Sequence, residues 1–360
     1  MASCGAACAP VDMAGCGAAC APVDMAQSSM DLGCVSASCG GAVDTCSDAH
    51  NCGACGHDCQ GGACVSGVCQ PATFASVQAQ PWDLTLDATN LYWTDLATNN
   101  MDGTVQSLAK TNLAGAPSPI ASMQWSPRKI VVDAMGLYWV DFSAGQVWAQ
   151  QPLGSGTPAA LESSPAMVVD FCVDDTNVYY IENQGPVVRY TPLVNGAGAR
   201  DILTPLQANQ MPSAVACDGS FVYWVNLFDL TLQKTQVPPN NAAPTQLATM
   251  LSDPGSLIVF NGFVWFNTGS GISKVSTSGG SVMPVVTGQI ANRFAVDADG
   301  VYWTDQQGGG VYRMKFSDGV VRTIASAQPV PLGIATDATT IYWVNQGTAA
   351  GTGAILRVAK

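Results

Sequence analysis

Side chains able to do chemistry are sparse in this chain, and their positions narrow what it can do. Both histidines, His50 and His57, fall in a cysteine-rich stretch near the N-terminus, and none follows. The only glutamates are Glu162 and Glu182. Acid–base work by histidine, its most frequent agent, is therefore excluded from residues 58–360. No Gly-x-Ser-x-Gly segment or Ser/His pairing is present.

Carboxylates and amides recur instead, in two ladders. The first is Asp87, Asp133, Asp174, Asp218, Asn261, Asp297 and Asp337. Each opens a short segment ending in Asn, Gly, Ser or Thr, where a short polar side chain bonds the backbone two residues on and shapes a turn. The second is Asp95, Asp141, Glu182, Asn226, Asn267, Asp305 and Asn345. Oxygen ligands in a ring suit Ca²⁺, but the same groups can hydrogen-bond neighbouring loops, which is the expected use. No resident cofactor is expected, with Ca²⁺ on this ladder as the alternative.

The elements that position these ladders follow from the segment between them. DATNLYWTD at 87–95 returns as DAMGLYWVD, DDTNVYYIE, CDGSFVYWVN, FNGFVWFN, DADGVYWTD and DATTIYWVN. The second aromatic falls at Trp93, Trp139, Tyr180, Trp224, Trp265, Trp303 and Trp343. On this alignment the fifth copy is two residues short between Asn261 and Trp265. A recurrence of roughly 40 residues signals stacked supersecondary units. Each unit holds four short runs rich in β-branched and aromatic residues, bounded by Gly, Pro, Asn and Asp, and these read as strands. No segment carries a helical period with caps. The expected fold is all-β, a seven-bladed β-propeller spanning 73–360. The seventh unit ends in its third run, GAILRV at 353–358, while TFASVQAQP at 73–81 aligns with TIASAQPVP at 323–331. The N-terminal strand should complete the last blade and remove both free edges.

The aromatic motif resembles the YWTD repeat of low-density-lipoprotein-receptor-type propellers, with the full motif ending at Asp95 and Asp305. That resemblance implies a secreted propeller, although the receptor propellers have six blades. A WD-repeat fold, which uses a His and a Trp-Asp pair per blade, is disfavoured.

Ligand sites in propellers sit at the mouth of the central channel. Two aligned slots enter the innermost strands there: Trp82, Arg128, Val169, Ser213, Asn292 and Leu332, then Asp83, Lys129, Asp170, Ala214, Arg293 and Gly333. The equivalents in the fifth blade fall around Gly255 and Ser256. Slots that vary while packing residues repeat point to Trp82, Asp83, Arg128, Lys129, Asp170, Asn292 and Arg293 as candidate ligand contacts.

Twelve of the fourteen cysteines lie in the first 69 residues, a density that implies disulfides and an oxidising compartment. Residues 1–33 contain a near-perfect tandem duplication and read as a low-complexity spacer. Residues 34–70 form a candidate disulfide module with Cys34, Cys39, Cys46, Cys52, Cys55, Cys59, Cys64 and Cys69. The run NCGACGHDC resembles that of stigma-specific-type cysteine-rich secreted modules. Zinc on Cys52, Cys55, Cys59 and His57 is the alternative. Cys172 and Cys217 lie one position out of phase in adjacent blades, so two buried thiols are expected rather than a bond. No export signal is visible, and Met1-Ala2-Ser3-Cys4 can be read as the end of a bacterial lipobox.

Net charge is −13, with −6 in residues 1–72. Such a chain repels phosphate backbones, so nucleic acid is not an expected partner. No apolar run is long enough to span a membrane. These observations favour an extracellular or surface-anchored monomer that presents a propeller face to a protein or glycan. The rival is a secreted propeller enzyme of lactonase, lyase or glycosidase class using carboxylates or a metal at the channel mouth. A structural scaffold is the third reading.

Overall fold

A computed structural model describes residue 39 and residues 43–96, 101–112, 115–163, 167–182, 187–193, 200–205, 210–237 and 243–360. For residues 162, 163, 187 and 200–205 it describes the backbone alone. The expected spacer, the lipobox reading and Cys34 fall outside the described residues.

Seven four-stranded antiparallel sheets form a seven-bladed propeller, with no helix among the described residues. The innermost strands are Pro81–Leu86, Pro127–Val132, Val168–Val173, Pro212–Cys217, Leu257–Phe260, Arg293–Val296 and Pro331–Thr336, in blades one to seven. Blade seven is completed by Ala72–Gln78, which pairs antiparallel with Gly353–Ala359. The ring therefore closes through the N-terminal strand, which supplies the outermost strand of blade seven and covers the edge of Gly353–Ala359.

Alternation along the aromatic strand explains the pattern. Successive side chains point to opposite faces of a strand, and here both faces are covered. Tyr138 and Val140 pack with Val178 and Tyr180 of blade three. Leu137 and Trp139 of the same strand pack with Tyr92 of blade one. Trp93, Trp139, Trp224, Trp303 and Trp343 are all fully buried. Burying such rings supplies much of the inter-blade cohesion, since each removes a large apolar area from water.

The first ladder shapes turns. One oxygen of Asp87 accepts from the amides of Thr89 and Asn90, at 2.6 and 2.7 Å. Asp133, Asp174, Asp218, Asp297 and Asp337 repeat the arrangement. Tyr92, Tyr179 and Tyr223 donate their hydroxyls to the other oxygen of the same aspartate. Burial, helped by that carboxylate, pushes the Tyr92 hydroxyl up to about 12.

Blade five corrects the alignment. Leu257 pairs with Phe266 as Phe294 pairs with Trp303. Phe266 thus takes the tryptophan's place, Trp265 the tyrosine's, Phe260 the aspartate's and Thr268 the place assigned to Asn267. The unit is not short. Asn261 and Gly262 form a tight turn through positive φ, 49° and 75°, a conformation Asn-Gly adopts readily, so no aspartate is needed.

A third periodic feature escapes the motif. The indole N–H groups of Trp93, Trp139 and Trp343 donate to Gln78, Gln124 and Gln328, at 3.0, 2.8 and 3.3 Å. Each glutamine comes from the outer strand region of the preceding blade and is 15 residues upstream of its tryptophan. At that offset from Trp303 stands Gly288, and the Trp303 indole nitrogen is buried without a partner.

Cys172 and Cys217 are joined in a disulfide, with Cα atoms 6.0 Å apart. The expectation of two thiols was wrong for a geometric reason. Opposite faces of equivalent sheets are the two that meet across an inter-blade gap, so a one-position phase difference brings the side chains together. Both lie in the cluster between blades three and four.

In the module, Cys39–Cys55, Cys52–Cys64 and Cys59–Cys69 are disulfides, and Cys46 is also disulfide-bonded. The zinc alternative fails because its cysteines are oxidised and His57 bonds the Cys52 carbonyl at 2.6 Å and the Lys360 backbone oxygen at 3.1 Å. That second bond, and shared burial of Cys52 and Cys69 with Val358 and Ala359, seats the module against blades six and seven. No helix of the described residues is long and apolar enough to cross a membrane.

Candidate functional site at the channel mouth

The seven innermost strands leave a cavity of about 330 Å³ where they enter the ring. Every blade contributes to its wall. Trp82, Asp83, Arg128, Lys129, Asp170 and Arg293 line it, with Ser213, Ser256 and Ile334 among the others. Six of the seven candidate contacts are thus gathered from blades one, two, three and six. Asn292 is not among them. Its side-chain oxygen accepts from the Gln306 amide at 2.7 Å and its backbone N–H bonds the Thr304 carbonyl, so it fixes a loop beside the mouth.

The two carboxylates tie inner strands together. Asp170 pairs with Lys129 at 2.6 Å, and its second oxygen accepts from the Val215 amide at 2.8 Å. It therefore links blade three to blades two and four. Asp83 accepts from the Ile130 amide at 3.3 Å and joins blades one and two. A Cβ at position 333 would lie 2.6 Å from its carboxylate and 2.7 Å from its Cα, so only glycine lets blade seven approach this closely. Burial raises the Asp83 pKa, an effect the neighbouring Arg293 charge opposes.

The two arginines are differently placed. Arg128 stacks between Trp82 and Phe142, its guanidinium carbon 4.9 and 3.7 Å from their ring centroids. Its Nε is buried with no hydrogen-bond partner, and the Ser213 hydroxyl is in the same state. Burial, and then the like charge of Arg293, lower the Arg128 pKa. Arg293 donates to the Ser256 hydroxyl at 3.0 Å. Neither arginine forms an ion pair among the described residues, where the mouth's one such pair is Lys129–Asp170. Nothing in the aromatic motif marks Phe142, which follows it as a loop residue. Its position directly after Asp141, at the channel end of that strand, was the available signal.

The second ladder makes local bonds. Asp141 accepts from the amides of Trp125, Ser126 and Ala144. Glu182 pairs with Arg189 at 2.9 Å, Asp305 accepts from two loop amides, and the Asn345 amide donates to Gln328 at 2.7 Å. Asp95 accepts from Gln106 at 2.6 Å, and burial raises its pKa to about 6.

This architecture defines a seven-bladed β-propeller with a polar, cation-bearing channel mouth. No protein-family model matches the chain, and no curated protein matches it significantly. Solved structures do share the fold. Virginiamycin B lyase from Staphylococcus aureus, as a catalytically inactive histidine-to-alanine variant with quinupristin, has a TM-score of 0.63 at 14% identity over 81% of this chain and 98% of that one. A streptogramin B lyase gives 0.62 at 11% identity, over 81% and 98%. The WD40 β-propeller domain of Doa1 gives 0.60 at 12%, over 80% and 95%. At these identities the likeness concerns the fold alone, and propellers serve unrelated functions.

Proposed function

We propose that this protein is an extracellular or surface-attached binding protein whose channel mouth engages a polar ligand, part of a glycan or a protein. The observation that carries the reading is the convergence of Trp82, Asp83, Arg128, Lys129, Asp170 and Arg293, from four blades, on one cavity. A rigid ring presenting non-repeating polar residues against a repeating core is organised for recognition. The disulfides and the absence of a membrane-spanning helix among the described residues are compatible with an exterior location. The net negative charge disfavours nucleic acid. Titration of the full chain with Ca²⁺ tests the second ladder as a metal site.

An enzyme is the second reading, favoured by one observation: Asp83 is held in the cavity with a raised pKa, as a general acid would be. Against it, the lyase of similar fold was inactivated by removing a histidine, and the propeller here contains none. The two are separated by a thermal-shift screen of the full chain against mono- and oligosaccharides and short peptides. It is run beside Ser213→Trp, which should fill the cavity. A shift lost in that variant, without ligand turnover, supports binding. Turnover abolished by Asp83→Asn would replace it with the enzyme reading, and shifts equal in both proteins would move the site elsewhere.

A further inference from the structure

We propose that the channel mouth selects a small ligand carrying an oxyanion, a carboxylate or sulfate on a sugar-sized body, held by Arg128 and Arg293. This rests on the reading of the channel as a binding site and goes on to name the ligand's charge and size.

The argument is a charge balance within one cavity. Three cations, Arg128, Lys129 and Arg293, face two carboxylates, Asp83 and Asp170. Lys129 and Asp170 neutralise one another in an ion pair. That leaves two guanidinium groups against Asp83. Its carboxyl is more readily neutral than an exposed one and already accepts from a backbone amide. Arg293 is close enough to Arg128 for its charge to disfavour that of Arg128. Two like charges held together against one carboxylate, with no ion pair to either, are costly in the empty protein, and an oxyanion relieves that cost.

Donor geometry agrees. The guanidinium of Arg128 is fixed by the rings of Trp82 and Phe142 rather than by an acceptor. Its buried Nε and the buried Ser213 hydroxyl have no partner, and buried donors are normally satisfied. A planar, pre-oriented guanidinium matches a carboxylate or sulfate in two parallel hydrogen bonds. Trp82 adds an apolar surface on which a sugar ring can rest. Size limits the ligand: the cavity holds about 330 Å³, and the chain as a whole carries −13. An extended polyanion would meet that acidic exterior, whereas one small anion reaches the mouth's local positive charge.

The test is equilibrium titration of the full oxidised chain with glucuronate, glucose and inorganic sulfate, repeated for Arg128→Gln, Arg293→Gln and Ser213→Trp. Glucuronate should bind, glucose about tenfold or more weaker, and each arginine variant should lose about tenfold, the range expected for one charge-assisted hydrogen bond. Sulfate should compete. Affinity should fall between 50 and about 300 mM NaCl, because the attraction is screened. Equal binding of glucose and glucuronate, unaffected by the arginine variants but lost in Ser213→Trp, would overturn the anion assignment and leave the channel reading intact. Glucuronate binding that survives Ser213→Trp would overturn both. No detectable binding of glucuronate or sulfate at 10 mM would overturn the anion assignment. Circular dichroism of each variant, matched to the parent, establishes that lost binding is not lost folding.

Discussion

Replacing Asp95 by asparagine should make the protein more stable at pH 8 and confer little or no advantage at pH 4. Asp95 is 1% exposed, and its pKa is raised from 3.8 to about 6, chiefly by burial. A raised carboxyl pKa means the folded state holds its proton more tightly than the unfolded chain. Stability is therefore lost as pH rises from about 4 through 6, and the loss is complete above both values. Two pKa units correspond to about 3 kcal/mol. Asparagine removes that penalty and keeps an acceptor for Gln106. It also places an amide where the second carboxylate oxygen lies buried without a partner, which costs about 1–2 kcal/mol. The net gain at pH 8 should be about 1–2 kcal/mol. The assay is urea unfolding of both proteins at pH 4, 6 and 8 with disulfides intact. Only the difference between them is read, so the other carboxylates cancel. A difference that does not change with pH would refute the reasoning. Stabilisation of the parent, but not of the variant, by added Ca²⁺ would instead show that the ladder holds a metal.

Two further outcomes concern the seams between blades. Breaking the bond between Cys172 and Cys217, which are 45 residues apart, should cost about 4 kcal/mol on the chain-entropy account of a closed loop that long. Cys172→Ser, Cys217→Ser and the double variant should show nearly equal losses in urea midpoint, because one bond is lost in each. Gln124→Leu should cost about 1–3 kcal/mol by leaving the buried Trp139 indole N–H unsatisfied. Urea unfolding together with the near-ultraviolet circular dichroism of that tryptophan checks it, and an unchanged midpoint would show that the bond contributes nothing.

Strand count, blade number and ring closure were legible because they rest on local signals repeated many times. An Asp-led turn, an aromatic pair and a Gly-led third strand each recur, so errors in one copy are corrected by the others. The closing strand was readable because 73–81 and 323–331 share an alignment that makes sense only if the first joins the last blade. Blade five was misaligned for the converse reason. Asn261 imitates the turn aspartate by residue type, but its turn forms through two positive φ angles, so the pairing slipped by one. The glutamine contacts are equally periodic but lie 15 residues from their tryptophans, outside the motif, so no local pattern announces them.

The site was legible as positions and opaque as pairings. Alignment of the inner strands fixes which residues reach the channel, and six of the seven candidates line the cavity wall. It cannot say which charges meet, because that depends on neighbours 41 to 47 residues away, as with Lys129 and Asp170 or Asp83 and Ile130. The same limit produced the error over Cys172 and Cys217: phase within one strand was read correctly, but the ring sets opposite faces against each other. Once the pairings are known, the carboxylates at the mouth are committed to holding blades together, while Arg128 and Arg293 face the single carboxylate of Asp83 and form no ion pair among the described residues. Cationic charge in excess of the ion pairs, kept at the one place where all seven blades meet, is what the proposed anion-binding role rests on.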